Sequence, residues 1–492
     1  MNPMVMESAQ PLLPIAIVLV CSFLIMFSGK RPNLREFWSI AGAVLTFLSV
    51  MSMVPVVWQG NLIVYTLSTI APGISLNFRV DALSLIFGIV SSFLWIFASF
   101  YNIGYMRSLK EHAQTRYYTC FAAAILGAQG VSYAGGLFTL YLFYEVITLF
   151  TYPLVAHHQD EEGYAGAKKY LVYLMGTSKG FLLPALILTY LLTGTLDFAN
   201  DVRGGIFPQA ADQLWTTVAY FLFLFGFAKA AIMPLHNWLP SAMVAPTPVS
   251  ALLHAVAVVK AGVFCISRVM LSTFGTNLLQ GTGLGITTAY IVSFTILAAS
   301  IIALTKDDLK ARLAYSTVSQ LSYIVLGVAL LDNAGVLGGI IHIVNHGFSK
   351  ITLFFCAGAI YVAHHKKKIS DMAGIGYAMP FTMGAFALAS LSMIGAPPVG
   401  GFVTKWYLLN GALKISNMPI LIVLMISTIL NAAYFVPITI RAFFEGKKEG
   451  WSRKDIKEAP LTMVIPLVLA SLISLALGMY PNFFVTLIGK LF

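Results

Sequence analysis

Six ionisable side chains lie within stretches of sequence that are otherwise apolar enough to cross a membrane. They are one glutamate and five lysines: Glu145, Lys179, Lys229, Lys260, Lys350 and Lys405. An ionisable group at the centre of a bilayer costs at least about 2.5–3.5 kcal/mol on insertion scales, so such groups normally face a bundle interior and mark a path for protons or ions. The sequence therefore predicts a protein that moves charge across a membrane.

The most informative spacing is that of His342, His346 and Lys350. Residues at i, i+4 and i+8 share one face of an α-helix. Imidazole both accepts and donates protons near neutral pH, so this face is a candidate proton relay. Two alternatives stay open, a metal site and a pair of isolated structural histidines. The metal site is disfavoured because the sequence has no HExxH motif or carboxylate beside the pair and a lysine flanks it.

Two further pairs extend the candidate path. His254 and Lys260 are six residues apart, about 9 Å of helical rise at 1.5 Å per residue, which suits bridging waters rather than direct contact. Glu145 is expected to pair with Lys229, because a nearby ammonium stabilises a buried carboxylate and the pair forms a tunable proton switch. The alternative for Glu145 is a static counter-ion between helices. A structural role for Lys179 also stays open.

The composition defines the class of protein. Of the 492 residues, 58% are hydrophobic and 10% are charged, whereas soluble proteins carry about 25% charged residues. The chain is therefore a polytopic membrane protein. Its net charge of +11 has no soluble face to occupy, which argues against a nucleic-acid partner. The four cysteines are scattered without a CxxC pair, and we expect no cofactor and no metal in this chain.

Fourteen apolar runs have the length of about 18–25 residues that a bilayer requires. They begin near residues 11, 37, 82, 116, 136, 170, 214, 247, 284, 312, 335, 375, 417 and 461. We therefore expect an all-α polytopic membrane protein with a single transmembrane domain over residues 1–492. With the loop after the first helix on the inside, the basic residues of the outer loops are only Arg79, Arg203, Lys414 and Lys490. Cytoplasmic loops collect Lys and Arg, so this alternation supports the count.

The remaining basic residues fit the same topology. The last inner loop is the richest and holds Arg441, Lys447, Lys448, Arg453, Lys454 and Lys457. Arg268 lies near the outer end of the eighth predicted helix, where we expect its long side chain to snorkel to the membrane surface.

Proline interrupts two predicted helices near a buried lysine. Pro234 follows Lys229 by five residues, whereas Pro397 and Pro398, among three glycines, precede Lys405. Proline removes a backbone donor and breaks or kinks the helix. Broken helices at corresponding positions in two halves indicate an inverted-repeat transporter, since freed carbonyls line a polar cavity at mid-depth. The alternative is that these prolines only kink packed helices.

Four segments resemble the antiporter-like subunits of respiratory complex I, the Mrp-type cation/proton antiporter subunits and the membrane arms of energy-converting hydrogenases. They are LHNWLP at 235–240, APTPVSALLH at 245–254, LAYSTVSQLSY at 313–323 and GGFVTK at 400–405. The resemblance implies fourteen helices with two inverted five-helix repeats, roughly 116–271 and 284–443, between flanking helices at 11–101 and 461–488.

The same resemblance assigns roles to residues. It implies that Glu145 and Lys229 form the pair of one half-channel and that Lys405 is the exit-side residue. It implies a central polar axis of His254, Lys260, His342, His346 and Lys350. Lys179 and His236 are secondary candidates for proton transfer.

The predicted function is that of a proton-translocating, antiporter-like subunit of a multisubunit, NADH-quinone oxidoreductase-like complex in a bacterial or archaeal cell membrane. Its expected partners are other membrane subunits, the lipid bilayer and H⁺, with Na⁺ left open, and any redox driving force comes from another subunit. The nearest alternative is an Mrp-type Na⁺/H⁺ antiporter subunit driven by ion gradients. An enzyme acting on lipid-linked substrates is disfavoured because the ionisable residues lie at mid-depth, and a purely structural scaffold is the last alternative.

Overall fold

The computed structural model describes residues 4–208, 211–446 and 456–492. Within these residues, nine helices are long and apolar enough to cross a membrane. The other spans are less apolar helices, shorter helices or helices broken into two halves. Of the basic residues assigned to the last inner loop, Lys447, Lys448, Arg453 and Lys454 lie outside the described residues.

The spanning segments follow one another in the order that the apolar runs predict. The first five are α1 (Leu12–Phe27), α2 (Pro32–Met51), α3 (Ala82–Ser108), α4 (Gln114–Ser132) and α5 (Leu137–Val155). The next three are α6 (Glu161–Thr193), α7, whose first half is Gln213–Gly226, and α8 (Thr247–Phe274). The last six are α9 (Leu284–Leu304), α10 (Leu309–Ala329), α11 (Asn333–His364), α12 (halves Pro380–Ile394 and Gly400–Lys414), α13 (Met418–Phe444) and α14 (Leu461–Met479).

Two of these segments contain wider turns, and 3₁₀ turns and short helices lie outside the regular spans. The π-helical turns are Ser178–Leu182 in α6 and Leu252–Val256 and Met270–Phe274 in α8. The 3₁₀ turns are Ala228–Ala230, Ala242–Val244 and Ile369–Met372. The short helices are Val54–Trp58, Trp238–Ser241, Thr276–Gly281, Ile375–Ala378 and Asn482–Gly489.

A small β-sheet, which the sequence pattern did not predict, covers one end of the bundle. Strand β1 (Val5–Glu7) pairs in parallel with β2 (Leu62–Ala71), and β2 pairs antiparallel with β3 (Ile74–Val80). The turn between β2 and β3 contains Gly73 at φ +73°, a left-handed conformation that glycine adopts without strain. The sheet is short, and the protein remains a helical bundle.

Loops that are predicted to share a side of the membrane contact one another. At one end, the backbone nitrogen of Leu309 donates to the carbonyl of Lys367 at 3.0 Å. At the other, Arg79 on β3 donates to the carbonyl of Ala199 at 2.7 Å. We call the first the basic end and the second the hairpin end. This arrangement agrees with the alternation of basic residues between loops.

Helices α8 and α11 form the centre of the bundle. The apolar window of each is fully enclosed by the rest of the protein, whereas about a third to a half of the corresponding window is buried in most other spans. A central helix has no lipid-facing side, so its polar residues face other helices. The two helices that hold most of the candidate axis are therefore the two most deeply buried.

Arg268 does not snorkel. It is 1% exposed, and its two terminal nitrogens lie 2.5 and 2.8 Å from the carboxylate oxygens of Asp81. Asp81 also caps the start of α3 by accepting from the backbone nitrogen of Ser84 at 2.9 Å. The snorkelling prediction is wrong because a buried carboxylate lies within reach, and the planar guanidinium matches it with two parallel hydrogen bonds.

Candidate proton-transfer axis

The centre of the candidate site is a direct contact between α8 and α11. The Nζ atom of Lys260 lies 2.8 Å from Nδ1 of His346. One helical turn along α11, the ring of His342 is 5.6 Å from the ring of His346, measured between centroids. Lys260 and His346 are fully buried and His342 nearly so. The spacing that predicted a shared helix face thus brings His342 and His346 together, and Lys260 of α8 rather than Lys350 is the third member of the row.

His342 connects this row to α10 and to the second half of α12. Its Nε2 atom lies 3.0 Å from Oε1 of Gln320, and its Nδ1 atom lies 3.2 Å from the hydroxyl of Thr404. The ring of Tyr323 packs edge-on against it at 5.7 Å. Lys405 follows Thr404 directly, and its Nζ is 5.6 Å from the centre of the Tyr323 ring. The row thus reaches the neighbourhood of Lys405 through hydroxyl, amide and phenol groups.

Lys405 is held by the break in α12, as the proline pattern predicted. The first half ends at Ile394, and the second begins at Gly400 after Pro397 and Pro398. The break leaves carbonyls without a helical partner, and Nζ of Lys405 donates to the carbonyl of Ile394 at 2.6 Å. It also donates to the hydroxyl of Thr428 on α13 at 2.7 Å.

The break in α7 lies elsewhere than predicted. The first half of α7 ends at Gly226, so the helix stops before Lys229 rather than at Pro234. Side chains stabilise the open backbone: the indole nitrogen of Trp238 donates to the carbonyl of Ala228 at 3.0 Å, and the backbone nitrogen of Lys229 donates to the phenol of Tyr144 at 3.2 Å. Lys229 therefore lies inside the break and not on the helix that precedes it.

The expected direct pair of Glu145 and Lys229 is not present. Nζ of Lys229 donates to the carbonyl of Tyr144 and to the hydroxyl of Thr148, both at 2.7 Å. Glu145 follows Tyr144, and successive helical residues point in directions about 100° apart. Its carboxylate instead accepts from the hydroxyl of Ser178 and lies 3.5 Å from Nζ of Lys179.

Lys179 is therefore the counter-ion of Glu145, a partner that the sequence had not indicated. The pair lies at the flank of the bundle, with the Lys179 side chain 50% exposed and that of Glu145 12% exposed. The π turn Ser178–Leu182 carries the lysine, which also donates to the phenol of Tyr141 at 2.6 Å. An ammonium at mid-helix on the outer surface faces lipid or another membrane protein.

The hydrogen bonds and ring contacts of three other predicted residues lie outside the row. Lys350 donates to the hydroxyl of Ser316 at 2.9 Å and to the carbonyl of Leu313 at 3.2 Å, both on α10. His254, in a π turn of α8, packs on the ring of Phe354 at 4.5 Å, and neither of its ring nitrogens has a hydrogen-bond partner among the described residues. His236 is half-buried, with its ring 6.2 Å from that of Tyr315.

The structure adds groups to which the sequence pattern had given no role. Gln320 and Tyr323 on α10, Thr404 on α12 and Tyr144 on α5 supply the contacts between the ionisable residues. The available signal was polar residues in otherwise buried helices. Such residues are expensive in a membrane interior unless they have partners.

The lysines within predicted spans fall into two groups, those with neutral partners and the one with a carboxylate partner. Lys229, Lys260, Lys350 and Lys405 have carbonyl, hydroxyl or imidazole partners, and no carboxylate lies within 4 Å of their Nζ atoms among the described residues. A buried ammonium without a counter-ion is costly, and this favours groups that release and rebind protons over groups that stay charged. Of the five lysines within predicted spans, Lys179 is the one with a carboxylate partner in the described part of the chain. The fold and this buried row define a polytopic membrane protein built to handle charge in its interior.

Comparisons with known proteins agree with that class. The family model described as NADH:quinone oxidoreductase/Mrp antiporter, TM, matches residues 134–431. NADH-quinone oxidoreductase subunit N of Desulforudis audaxviator is 30% identical over 95% of this chain and 96% of that protein. A component of the Na(+)/H(+) antiporter of Alkalihalophilus pseudofirmus is 29% identical over 95% of this chain, which spans 60% of that longer protein.

Two solved structures share the fold. A chain of the Mrp complex from Dietzia sp. DQ12-45-1b gives a TM-score of 0.86 at 24% identity, covering 98% of this chain and 96% of that chain. A chain of the membrane-bound sulfane sulfur reductase, an archaeal respiratory membrane complex, gives a TM-score of 0.87 at 24% identity. That match covers 98% of this chain and 97% of that chain. The protein belongs to the family of antiporter-like subunits found in complex I-like and Mrp membrane complexes. Its relatives are multi-pass membrane subunits of multisubunit assemblies.

Proposed function

We propose that this chain translocates protons as an antiporter-like subunit of a respiratory or energy-converting complex of the NADH-quinone oxidoreductase kind. The observation that carries the proposal is the row of Lys260, His346 and His342, with its first contact at 2.8 Å and its second at 5.6 Å between ring centroids. Each of these groups exchanges protons readily, and the row leads toward Lys405. A static scaffold has no need of this row.

The input to the row is the flank pair, Glu145 and Lys179. A partner protein that docks beside the half-exposed Lys179 changes the field at Glu145, because a low-dielectric surrounding transmits charge over several ångströms. Glu145 adjoins Tyr144, whose carbonyl holds Lys229. A change in the charge of Glu145 therefore alters the balance between the protonated and neutral forms of Lys229.

Lys229 is linked to the row by close backbone packing. A Cβ atom added to Gly262 would overlap the carbonyl carbon of Lys229 and the nitrogen of Ala230. Only glycine permits this approach, and Gly262 is two residues from Lys260. Protonation changes at Lys229 then shift the charge of Lys260 and of the α11 histidines, and Lys405 exchanges protons with one aqueous side. The role of His254 in this step requires bridging water.

The two broken helices support an inverted-repeat organisation. We place one repeat at roughly 116–271, with Lys229 in its break, and the other at roughly 284–443, with Lys405 held by its break. Each repeat supplies one half-channel in this proposal. Freed carbonyls at the two breaks accept hydrogen bonds from a lysine or an indole, the arrangement expected where irregular backbone lines a polar interior.

The proposed setting is the cell membrane of a bacterium or archaeon, within a complex of several membrane subunits. The chain is proposed to hold no redox cofactor, so electron transfer takes place in a partner and reaches this chain only as a change of charge. The lipid bilayer covers the remaining exposed apolar side chains, such as Leu191 and Phe294, which are 73% and 66% exposed.

An Mrp-type Na⁺/H⁺ antiporter subunit is the second candidate, favoured by the similarity to the Alkalihalophilus antiporter. Na⁺ prefers oxygen ligands, whereas the row consists of ammonium and imidazole groups, which supports H⁺ along this path. Proton uptake that requires a Na⁺ gradient and stops when Na⁺ is replaced by an impermeant cation would favour the antiporter. Uptake driven by electron transfer without Na⁺ supports the first proposal.

The test is Lys405→Ala in the assembled complex, reconstituted in vesicles that contain a pH-sensitive dye. We expect translocation to fall to the background of protein-free vesicles. Lys414→Ala is the matched control, since Lys414 lies on the same half-helix but is exposed and only 3.8 Å from Asp332 in a surface pair. The Lys414→Ala complex should translocate protons at the rate of the unmodified complex. Full activity of the Lys405→Ala complex would overturn the proposal.

A further inference from the structure

A second cluster of ionisable groups lies at the basic end, away from the proton row. It comes from the loop between α3 and α4 and from the loop that follows α5. Ligand atoms of Glu111, His112 and His157 all lie within 4.8 Å of one another. The carboxylate of Glu111 is 3.5 Å from Nε2 of His157 and 3.7 Å from Nδ1 of His158.

His157 is the unusual member of the cluster. It is fully buried, and neither of its ring nitrogens has a hydrogen-bond partner among the described residues. A buried imidazole without a hydrogen bond is energetically costly unless a bound group, such as a metal ion, satisfies its ring nitrogen. Its backbone is fixed, because Arg116 donates to the His157 carbonyl at 3.0 Å. The arginine is thus occupied by the backbone, while the ring faces Glu111 and His112.

We propose that Glu111, His112 and His157 bind one transition-metal cation of the Zn²⁺ class. In a tetrahedral site with bonds of about 2.0–2.1 Å, ligand atoms lie about 3.3 Å apart. The Glu111–His157 distance already has nearly that value, and the ring of His112 lies 4.8 Å from that of His157, within reach of a small rotation. The fourth position faces His158 or solvent.

The site opens on a polar cavity at the basic end. This cavity has a volume of about 550 Å³, and its lining includes Glu111, His158, Glu162, Lys310 and Lys367. A cation reaches the cluster from the aqueous side through it. The two loops that supply the ligands enter and leave the α4–α5 hairpin at its open end, so a bound ion also links them.

The experiment measures Zn²⁺ binding to the full chain, purified without a polyhistidine tag, by competition with a chromophoric chelator. We expect one high-affinity Zn²⁺ per chain, and visible absorption of tetrahedral Co²⁺ when Co²⁺ replaces it. His112→Ala, Glu111→Gln and His157→Ala should each lower the affinity at least about tenfold. His112 is exposed, so its replacement leaves the fold unaffected.

The control is a second histidine pair at the same end. His364 and His365 are also adjacent in sequence and precede three lysines, yet they belong to no such cluster among the described residues. The His364→Ala/His365→Ala variant should keep the Zn²⁺ stoichiometry and affinity of the unmodified chain. Loss of binding in this control, or unchanged binding in His112→Ala and Glu111→Gln, would overturn the proposal.

Discussion

The flank pair and the central row use the same side chain, lysine, in opposite ways. At the flank, Lys179 is half-exposed and lies 3.5 Å from a carboxylate. In the row, Lys260 is fully buried and its contact is an imidazole at 2.8 Å. A lysine beside a carboxylate is stabilised as a cation, whereas a lysine beside a neutral acceptor in the interior has no such stabilisation.

In the proposed mechanism, this difference separates reception of a signal from transfer of a proton. We propose that the flank pair responds to the charge of a partner while its lysine holds its proton. The row is buried, and we propose that its groups change protonation in response to one another. If the separation holds, removing charge at the flank weakens coupling, and fixing charge in the row stops transfer.

The largest expected effect is that of Lys260→Arg. Arginine keeps the positive charge and roughly the length of the side chain, but it does not release its proton in a protein. Proton translocation in reconstituted vesicles should fall to background. The same replacement at the flank, Lys179→Arg, should retain most of the activity, because the cation rather than its proton is needed there.

The comparison of these two arginine variants is informative in either direction. If Lys260→Arg kept full activity, equal to that of Lys179→Arg, the row would need only a fixed charge. The proposed transfer through Lys260 and His346 would then be wrong. Equal loss in both variants would contradict the separation of roles. Assembly of each variant complex is checked by size-exclusion chromatography before transport is measured.

The sequence predicts positions within one helix better than contacts between helices. Residue spacing fixes which positions share a helix face, so His342 and His346 were placed together correctly, and proline chemistry located the break beside Lys405. The Glu145–Lys229 pairing depended instead on how α5, α6 and α7 pack against one another. Spacing within one helix carries no information about the neighbour that its face meets, so it does not predict Lys179 as the partner of Glu145.

The other predictions divide in the same way, into local patterns that the sequence shows and long-range contacts that it does not show. The order of the helices and the alternation of basic loops were readable from apolar length and charge. The β2–β3 hairpin is not predicted, because the search for apolar runs covers only segments long enough to cross a bilayer. Arg268 was assigned by its position along α8, although its partner Asp81 is 187 residues away. Contacts of such long range arise from the fold and leave no local pattern.

The next largest effect is a loss of stability. It contrasts the buried pair of Arg268 and Asp81 with the flank pair of Glu145 and Lys179. Breaking a buried pair by removing one partner costs about 3–5 kcal/mol, because a charge is left unpaired in the interior. Arg268→Ala leaves Asp81 with only Arg79, at 3.2 Å, as a cationic partner among the described residues. We expect a clear fall in the melting temperature of the purified protein and a lower yield of assembled complex.

Lys179→Met is the counterpart of that experiment. Exposed and half-exposed pairs contribute at most about 1 kcal/mol, so its melting temperature should stay close to that of the unmodified protein. A large destabilisation by Lys179→Met would assign the flank pair a structural role and return Glu145 to the position of a static counter-ion.

A moderate effect is expected for Glu145→Gln, which removes the charge of the flank pair and keeps its shape. Translocation driven by the partner should slow about tenfold, equivalent to about 1.4 kcal/mol. Because the two residues act as one unit, Glu145→Gln combined with Lys179→Met should be no slower than Glu145→Gln alone. Additive losses in this double-mutant cycle would show that Glu145 acts directly on Lys229 and independently of Lys179.

The smallest effect is expected for His236→Gln. His236 belongs to neither region: it is half-buried, and its ring lies 6.2 Å from that of Tyr315. Glutamine keeps a hydrogen-bonding side chain but does not titrate, so the rate should change less than about twofold if the path runs only through the row. His254→Gln is the matched comparison, since His254 is fully buried in α8 with both ring nitrogens unpartnered among the described residues. A larger loss for His236→Gln than for His254→Gln would move the proton entry to the basic end beside α7, and the row would then be only the second half of the path.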